Sequence, residues 1–371
     1  MKSLVDRTLH TAAPTVEAAR IAQIRRHLEA HEADAVFVSA GHDVRWATGF
    51  TGSNALLIVT HGSIAFLTDG RYDEQAKREV RLGDVHIVQG DLGGFAAKLT
   101  LVPEGATALV QSDCLTVAAF EKLKGQFPTV GFVPVPSLLD AAVAAKSADE
   151  IERVRAAQAV TDDVFSALLP MIRPGVTEQA LAAEITYAHL QRGASAMSFE
   201  PIVASGPNSA LPHARPTTRV LQDGDVVLID MGAYVEGYSS DMTRTLVLGQ
   251  ASAEVRHVYA AVLLAQEAAI EIAKAGRSGT ELDAAARSVL VDAGYGDQFS
   301  HSLGHGVGLR VHEWPRLSQQ VEHMLPVGTT VTIEPGVYLP GRFGVRIEDI
   351  IVLDEAGCDN LTSTPKTLLE L

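Results

Sequence analysis

Five side chains in the second half of the chain have the chemistry of a binding site for divalent cations: Asp230, Asp241, His305, Glu334 and Glu348. They offer carboxylates and one imidazole, which are donors that suit Mn, Co, Zn or Fe(II), and no thiolate that would indicate a cysteine-type zinc site. Carboxylates buried close together repel one another strongly, and bound cations are the simplest way to stabilise them. The residue types therefore predict a centre for a pair of metal ions.

A hairpin is predicted to present the first two carboxylates. Val226 to Asp230 has the pattern of a buried strand that ends in a charge, and Asp241 begins the next strand beyond a turn near Gly237. Residues equidistant from the turn of an antiparallel hairpin face each other, so both carboxylates can point to one face. Taken alone, either aspartate could instead be a turn residue that accepts hydrogen bonds from backbone N–H groups.

A segment rich in glycine and histidine, SHSLGHGVGLRVHE, follows later in the chain and begins at Ser300. Its histidines are residues 301, 305 and 312, and glycines at 304, 306 and 308 let the backbone pass close to a site. The spacing is not the helical HExxH of zinc proteases. Histidines at this density, interleaved with glycine, favour a functional site over isolated surface histidines.

Two strand-like segments, TTVTIEPGVY and GVRIEDI, carry the two glutamates. Alternation places Thr332 and Glu334 on one face of the first strand, and Arg346 and Glu348 on one face of the second. A glutamate flanked by apolar residues on a buried strand needs a cationic partner. The alternative is an ordinary salt bridge between Glu348 and Arg346 at a sheet edge.

The elements that must position these residues form two predicted domains, 1–145 and 146–371. The first alternates helices with short apolar strands, which indicates an α/β domain; its predicted elements are a helix at Thr15–Ala30, strands at Ala35–Val38, Ala55–Val59, Ile64–Leu67, Val85–Val88 and Ala108–Val110, and a short helix at Tyr72–Glu79. After Pro134 and Pro136, Ser147 and Glu150 form a predicted capping box that opens a long helix.

The second domain is predicted to combine long helices with mostly antiparallel strands, which indicates an α+β structure. The predicted helices are Thr177–Arg192, Ala253–Ala275 and Thr280–Ala293, and the predicted strands are Val226–Met231, Met242–Leu248, Thr329–Val337 and Gly344–Leu353.

Composition excludes several classes of function. The chain has 371 residues, 47% hydrophobic and 20% charged, and a net charge of −15 that disfavours binding to nucleic acid or an anionic membrane. No apolar stretch approaches the roughly 18 residues of a membrane-spanning helix, and no secretory signal is apparent at the N-terminus. Cys114 and Cys358 lie far apart in the sequence and are expected to be reduced thiols, which favours the cytoplasm.

The segments LIDMGAYVEGYSSDMTRT, HSLGHGVGLRVHE, TIEPGVY and VRIED resemble the metal-binding signature of the dinuclear pita-bread metallopeptidases. That family comprises the methionine aminopeptidases, Xaa-Pro aminopeptidases and prolidases. The resemblance covers the whole second domain and includes the order and spacing of all five candidate ligands. It implies a pita-bread catalytic domain.

The first domain narrows the resemblance. The segments GFTGSN, from Gly49, and TDGRY, from Thr68, are similar to the N-terminal domain of the proline-specific members and of creatinase. Methionine aminopeptidases lack that domain, and creatinase lacks the full ligand set. The resemblance therefore implies a metal-dependent exopeptidase that hydrolyses the Xaa-Pro bond of dipeptides or short peptides, with prolidase preferred over Xaa-Pro aminopeptidase.

The resemblance also implies roles for single residues. Asp230 and Asp241 would chelate one metal ion, with Asp241 bridging to a second; His305 and Glu334 would bind the second ion, and Glu348 would bridge. The ions would be divalent, with Mn²⁺ favoured and Co²⁺ or Zn²⁺ possible, and a hydroxide held between them would be the nucleophile. Glu334 would also carry a proton to the leaving amine.

The remaining roles concern the substrate. By the same resemblance, His213 and His312 would support the tetrahedral intermediate, His301 would line the proline-side pocket, and Arg346 would hold ligand carboxylates in place. Arg316 resembles the arginine with which prolidases clamp the free C-terminal carboxylate of a dipeptide. An ordinary surface arginine after a turn is an equally good interpretation of Arg316.

Two other functions remain open at this point. One is a creatinase-like or other small-molecule amidohydrolase, against which the intact ligand set argues. The other is a non-catalytic protein that kept the fold, although such proteins typically lose ligands or catalytic histidines and none is lost here. The resemblance further implies a homodimer.

Overall fold

The structure is a computed structural model that describes residues 15–320 and 322–371. The chain divides between Val143 and Ala144 into two compact units. The boundary expected from sequence, between residues 145 and 146, lies close to this division.

The first unit is a layered α/β structure around one mixed sheet. Its helices are α1 (Val16–Ala30), α2 (Gly41–Thr48), α3 (Asp73–Glu79), α4 (Leu92–Ala96), α5 (Val117–Gln126) and α6 (Asp140–Ala144), the last of which ends at the division. Its strands are β1 (Ala35–Val38), β2 (Ala55–Thr60), β3 (Ile64–Asp69), β4 (Asp84–Val88), β5 (Thr107–Gln111) and β6 (Gly131–Val135). Within the described residues they lie in the order β4-β3-β2-β1-β5-β6.

Local sequence explains most of this unit. Thr15 caps α1 by accepting a hydrogen bond from the backbone N–H of Ala18, and the helix buries Ile24 and Leu28 as its periodicity predicts. Val16, in the first turn of the helix, is 48% exposed and does not join the buried face. Sequence patterns also missed β6, which contains a proline and tolerates it as the edge strand of the sheet.

The second unit is an α+β structure, as predicted. Its helices are α7 (Ala148–Leu168), α8 (Glu178–Gln191), α9 (Ala253–Ile272) and α10 (Gly279–Asp292). Its strands are β7 (Ala196–Met197), β8 (Ile202–Ser205), β9 (Val226–Met231), β10 (Ala233–Val235), β11 (Tyr238–Ser239), β12 (Met242–Val247), β13 (Gly304–Gly306), β14 (Glu313–Leu317), β15 (Thr330–Ile333), β16 (Gly336–Leu339), β17 (Phe343–Arg346), β18 (Asp349–Leu353), β19 (Cys358–Asn360) and β20 (Leu369–Glu370).

Two helix pairs cover two different sheets of this unit. The pair α7 and α8 shares a core with β8, β9 and β12, which belong to the sheet β20-β12-β9-β8. The pair α9 and α10 shares a core with β15, β17 and β18, of which β15 and β18 belong to the sheet β14-β13-β15-β18-β19. The predicted capping box opens α7: Ser147 accepts from the N–H of Glu150, and the Glu150 carboxylate accepts from the N–H of Ser147. Each helix pair therefore supports one of the sheets that carry candidate ligands.

Two expected strands are each divided in two. The segment 329–337 forms β15 and then β16, and the segment 344–353 forms β17 and then β18. The members of each pair lie in different sheets, since β16 pairs with β17 and β15 pairs with β18. Glu334 and Glu348 consequently lie at the two breaks, and the expectation that they occupy regular strand faces is wrong. Uniform apolar alternation conceals such a break because β propensity is similar on both sides of it.

None of the helices in the described part of the chain combines the length and apolar composition that crossing a bilayer requires.

Candidate metal centre

Asp230 and Asp241 project from one face of the β9–β12 pair. Asp230 lies opposite Thr243, and Asp241 lies two residues before Thr243, immediately outside β12. Because side chains alternate along a strand, these positions share a face. Gly232 makes the close approach possible, since a Cβ there would lie 2.0 Å from the carbonyl oxygen of Ser240. Both aspartates are buried.

The backbones of the two glutamates are fixed at the strand breaks. The N–H of Glu334 donates to the carbonyl of Leu303 at 2.8 Å, and the N–H of Glu348 donates to the carbonyl of Thr243 at 3.1 Å. Glu334 is thereby tied to the histidine segment, and Glu348 to the aspartate-bearing strand. Tertiary contacts, not strand alternation, aim these carboxylates at one point.

His305 presents a free imidazole nitrogen to the carboxylates. Its Nδ1 lies 3.0 Å from the carbonyl oxygen of Gly306, which requires the proton on Nδ1. Its Nε2 lies 3.3 Å from Glu334 Oε1 and 3.7 Å from Asp241 Oδ2. An unprotonated nitrogen facing carboxylates, with the other nitrogen held by a carbonyl, is the usual arrangement of a metal-ligating histidine.

The histidine segment depends on glycines at close contacts. A Cβ at Gly304 would lie 2.0 Å from the carbonyl oxygen of Thr332, and one at Gly306 would lie 2.3 Å from that of Trp314. Only residues without a side chain allow β13 to pass between its neighbours at this distance.

One carboxylate oxygen from each of Asp241 and Glu348 and one imidazole nitrogen of His305 lie within 4.8 Å of one another. Burial, reinforced by the neighbouring negative charges, raises the pKa values of Asp241 and Glu348 well above the ordinary value. Burial likewise raises the pKa of Glu334, to about 7, although the Arg346 guanidinium opposes the shift. The carboxylates therefore resist being ionised together without added positive charge.

The donor set fits divalent cations. Within the described residues, Asp230 Oδ1 is buried and has no hydrogen-bond partner, and a buried acceptor of this kind is costly unless something cationic meets it. Carboxylate oxygens and an imidazole nitrogen are the ligands that hard or borderline divalent metals take.

Arg346 links the aspartates to the glutamates. Its guanidinium donates from Nη2 to Asp230 Oδ2 at 2.6 Å and from Nε to Thr243 Oγ1 at 3.0 Å, and Thr243 Oγ1 donates to Glu348 Oε2 at 2.7 Å. The salt bridge considered between Arg346 and Glu348 is thus replaced by one to Asp230. Thr243 escaped notice in the sequence, although its position two residues after Asp241 could have placed it on the same face.

A second ion pair, between Arg244 and Asp349, holds the same backbone. These two residues directly follow Thr243 and Glu348. Arg244 donates to the carbonyl of Glu348 at 2.6 Å and to that of Thr243 at 3.0 Å, and its Nη2 lies 2.7 Å from Asp349 Oδ1. Both side chains are buried. Side chains on both faces of β12 therefore crosslink the start of this strand to the Glu348–Asp349 segment.

His301 is held by two hydrogen bonds. Its Nδ1 lies 2.8 Å from the carbonyl oxygen of Ser302, so its Nε2, 2.9 Å from the hydroxyl of Tyr338, accepts from that hydroxyl. The Tyr338 oxygen accepts in turn from Arg346 at 2.8 Å. Burial, followed by the charge of Arg346, lowers the pKa of His301 to about 4, which keeps the ring neutral. Sequence reasoning missed Tyr338, which follows Glu334 in the EPGVY segment.

His213 and His312 are exposed loop residues near the cluster. The His312 ring lies 4.4 Å from the His305 ring, centre to centre and nearly perpendicular to it. Desolvation by the protein around this ring, and then the charge of His305, lower the pKa of His312 to about 4. His213 lies near both rings, since a positive charge on it, when present, would add a small further lowering to the pKa values of His301 and His312.

Arg316 lies on the same side of the sheet as His305. The two residues are directly paired across β13 and β14, and paired residues project to one face. Arg316 is exposed, and its Nε lies 3.4 Å from Ser302 Oγ. Its guanidinium is consequently available at the edge of the cluster.

Comparison with known proteins extends over both units. The description "Metallopeptidase family M24" matches residues 152–355, and "Creatinase/Prolidase N-terminal domain" matches residues 20–142. The chain is 35% identical to an Xaa-Pro dipeptidase of Pyrococcus furiosus over 94% of this chain and 99% of that protein.

Solved structures are also similar to this chain over most of its length. A structure named Xaa-Pro dipeptidase, from Bacillus anthracis, matches with a TM-score of 0.92 at 35% identity, covering 96% of this chain and 100% of the other. An X-Pro aminopeptidase from Thermotoga maritima matches with a TM-score of 0.86 at 35% identity, covering 93% and 100%.

Proposed function

Since the chain belongs to metallopeptidase family M24, we propose that it is an exopeptidase that hydrolyses the Xaa-Pro bond of dipeptides or short peptides. Its architecture, a creatinase/prolidase-type N-terminal domain followed by a pita-bread catalytic domain, confirms the fold inferred from sequence. The observation that carries the proposal is the buried cluster of carboxylates around His305 Nε2, whose pKa shifts call for divalent cations. Names of relatives support dipeptides as substrates.

We propose that two divalent ions bind here, Mn²⁺ in preference to Co²⁺ or Zn²⁺. The residues that would hold them are Asp230, Asp241, His305, Glu334 and Glu348. When bound, such a pair of ions makes water a nucleophile at neutral pH and stabilises negative charge on the scissile carbonyl oxygen. Arg346 supports the set by fixing Asp230 directly and Glu348 through Thr243.

The protein's own groups would move protons and bind the reacting carbonyl. Glu334 is proposed to take a proton and return it to the leaving nitrogen. This transfer matters because the proline nitrogen must gain a proton to leave as an amine. His312 and His213 are proposed to donate hydrogen bonds to the developing oxyanion.

Substrate binding is assigned to His301 and Arg316. The His301 ring, neutral and fixed by Tyr338, would form one wall for the proline ring. Arg316 would bind the free C-terminal carboxylate of a dipeptide, for which a guanidinium has the right planar geometry. Its position on the His305 face supports this role.

The Arg316 assignment predicts a preference for dipeptides. Arg316→Ala should raise KM for Ala-Pro much more than KM for the longer Ala-Pro-Ala, because only the dipeptide places its carboxylate beside the proline ring. Equal changes for both substrates would remove Arg316 from this role.

A metal-reconstituted substrate panel tests the function itself. The chelated protein would be given Mn²⁺ and then Ala-Pro, Ala-Pro-Ala, Ala-Ala or creatine. We expect metal-dependent release of proline from Ala-Pro and little turnover of Ala-Ala or creatine. Preferential turnover of creatine or of the non-proline peptide would reject the proposal.

Location and assembly are further proposals. We propose the reducing cytoplasm as the place of action, because the sequence contains two cysteines that lie far apart and are expected to stay reduced. A homodimer is proposed from the resemblance alone, and light scattering at micromolar concentration would measure it.

A further inference from the structure

His213 lies in the long connection between β8 and β9, and its imidazole is exposed. Among the described residues, no hydrogen bond to its ring is found. A side chain without a partner can be aimed only through its backbone. The groups that fix this connection therefore decide where the imidazole lies.

One buried carboxylate holds the connection on both sides of His213. Glu178, the first residue of α8, is fully buried and accepts from the N–H and hydroxyl of Ser205, both at 2.7 Å. It also accepts from the N–H of Thr217 at 3.0 Å and from its hydroxyl at 2.6 Å. The Asn208 side-chain amide completes the set, at 3.0 and 3.1 Å. Residues before and after His213 thus share a single acceptor.

The start of α8 adds backbone contacts to the same connection. The N–H of Glu178 donates to the carbonyl of Arg219, and the N–H of Gln179 donates to that of Thr217. First-turn N–H groups of a helix lack partners within the helix, so they are free to bind a loop. Side chain and backbone together make this helix terminus the attachment point for the His213 connection.

The charge of Glu178 is essential to this arrangement. Burial on its own would raise the pKa of Glu178, but the hydrogen bonds from Thr217 and Ser205 hold that pKa below its ordinary value. Every described partner of the carboxylate is a donor. A glutamine here would turn an N–H₂ group toward donors and lose part of the set.

The tip of the connection is tied to the metal centre separately. Arg346 Nη1 donates to the carbonyl of Pro212, directly before His213, at 3.1 Å. Arg346 also binds Asp230, so one guanidinium holds both a candidate metal ligand and the backbone beside the His213 imidazole. Glu178 fixes the two arms of the connection, and Arg346 fixes its tip.

We infer that Glu178 is a positioning residue for His213, a role that rests on the proposed function of the site. Glu178 touches neither the candidate ligands nor the reacting atoms. It sets the path of the connection so that the imidazole reaches the scissile carbonyl once substrate is bound. Displacements of about 1 Å at a catalytic group lower turnover by up to about 100-fold.

A double-mutant cycle tests this role. Glu178→Gln should lower kcat for Ala-Pro by about 10- to 100-fold, with KM and Mn²⁺ affinity little changed. In a His213→Ala background the same substitution should lower kcat by less than about threefold, because the group that it positions is gone. Equal factors in the two backgrounds would overturn the inference.

Asp162 supplies a matched control for lost stability. It is a buried carboxylate that accepts from the N–H and hydroxyl groups of Ser363 and Thr364, which are the same kinds of donor. Asp162→Asn should lower the melting temperature but leave kcat near the wild-type value. A fall in kcat as large as that of Glu178→Gln would mean that Glu178 acts only through stability.

A milder variant covers the case in which Glu178→Gln does not fold. Thr217→Val removes one hydroxyl donor at an exposed position of the connection and leaves the carboxylate intact. Its effect on kcat should also shrink in the His213→Ala background, and additivity would overturn the role. Wild-type protein with Mn²⁺ that releases no proline from Ala-Pro would instead reject the proposed function, and this role of Glu178 with it.

Discussion

The candidate metal ligands and the two histidines proposed to bind the oxyanion are held in different ways. Asp230, Glu348 and Glu334 each have a side-chain partner on a strand: Arg346, Thr243 and Thr332. His213 and His312 lie exposed on connections between strands, where the backbone determines their position. The ligand cluster is therefore built as part of the core, and these two histidines lie on loops attached to it.

The difference follows from what each region must do. A metal centre needs ligand atoms fixed within a fraction of an ångström, and packed strands with crosslinking side chains provide that rigidity. Groups that meet a substrate must remain accessible, and accessible positions are found mainly on loops. Substitutions in the two regions should accordingly separate metal binding from turnover.

The largest effect is expected at Glu334, which is proposed both to bind metal and to carry a proton. Glu334→Gln removes both a proposed ligand and the proposed proton carrier, so turnover of Ala-Pro should fall by about 10,000-fold. Isothermal titration should also find weaker or fewer Mn²⁺ sites. Glu267→Gln, at an exposed position on α9, is the control and should change neither quantity. Full Mn²⁺ binding by the Glu334 variant would place this residue with the substrate groups instead.

The next largest effect is expected at His312, one of the two exposed histidines proposed to bind the oxyanion. His312→Ala should lower kcat by about 100- to 1,000-fold, because an oxyanion donor is lost. Its Mn²⁺ affinity should stay at the wild-type value, since the ring faces His305 rather than the carboxylates. His257→Ala, an exposed histidine on α9, should leave kcat unchanged. Loss of Mn²⁺ binding in the His312 variant would break the distinction between the regions.

A smaller effect tests the side-chain support of the ligands. Thr243→Val removes the hydroxyl that joins Arg346 to Glu348 and should weaken Mn²⁺ binding by about 10- to 100-fold. Thr68→Val is the matched control, since Thr68 is a fully buried strand threonine of the first unit whose hydroxyl donates to the carbonyl of Asn54. Equal Mn²⁺ affinity in both variants would mean that Thr243 does not support the ligands.

The smallest expected effect is a pH-dependent change in the number of protons released when Mn²⁺ binds. Glu334, with a pKa of about 7 in the metal-free protein, is protonated at pH 6 and ionised at pH 9. A metal needs the ionised form, so Mn²⁺ binding should release more protons at pH 6 than at pH 9. Titration calorimetry in buffers of different ionisation enthalpy measures this release. His312→Ala should release the same number, and no pH dependence would contradict the raised pKa.

Sequence patterns predicted the elements whose signals are local. The capping box of Ser147 and Glu150, the bounds of β9 and the starts of α8 and α9 follow from caps and periodicity. The breaks at Glu334 and Glu348 were not predictable, because they depend on which strand pairs with which. Strand pairing joins residues distant in sequence, and a local window contains no information about it.

The candidate site likewise contains some residues that the sequence identifies and others that only tertiary contacts identify. The types and order of Asp230, Asp241, His305, Glu334 and Glu348 were readable because charged residues in apolar strands and glycine-flanked histidines stand out. Thr243, Tyr338 and Glu178 did not stand out, since buried threonine, tyrosine and first-turn glutamate are ordinary in any fold. Their importance comes from their partners, which lie many residues away.

By itself, then, the amino-acid sequence determined which side chains could bind metal and which family they resemble. Only the tertiary structure decided how those side chains are held: Arg346 on Asp230, Thr243 on Glu348, and the connection of His213 on Glu178. The physical reason is that a residue's type fixes what it can bind, but hydrogen bonds act over a few ångströms. Only the folded chain brings such distant residues within that distance.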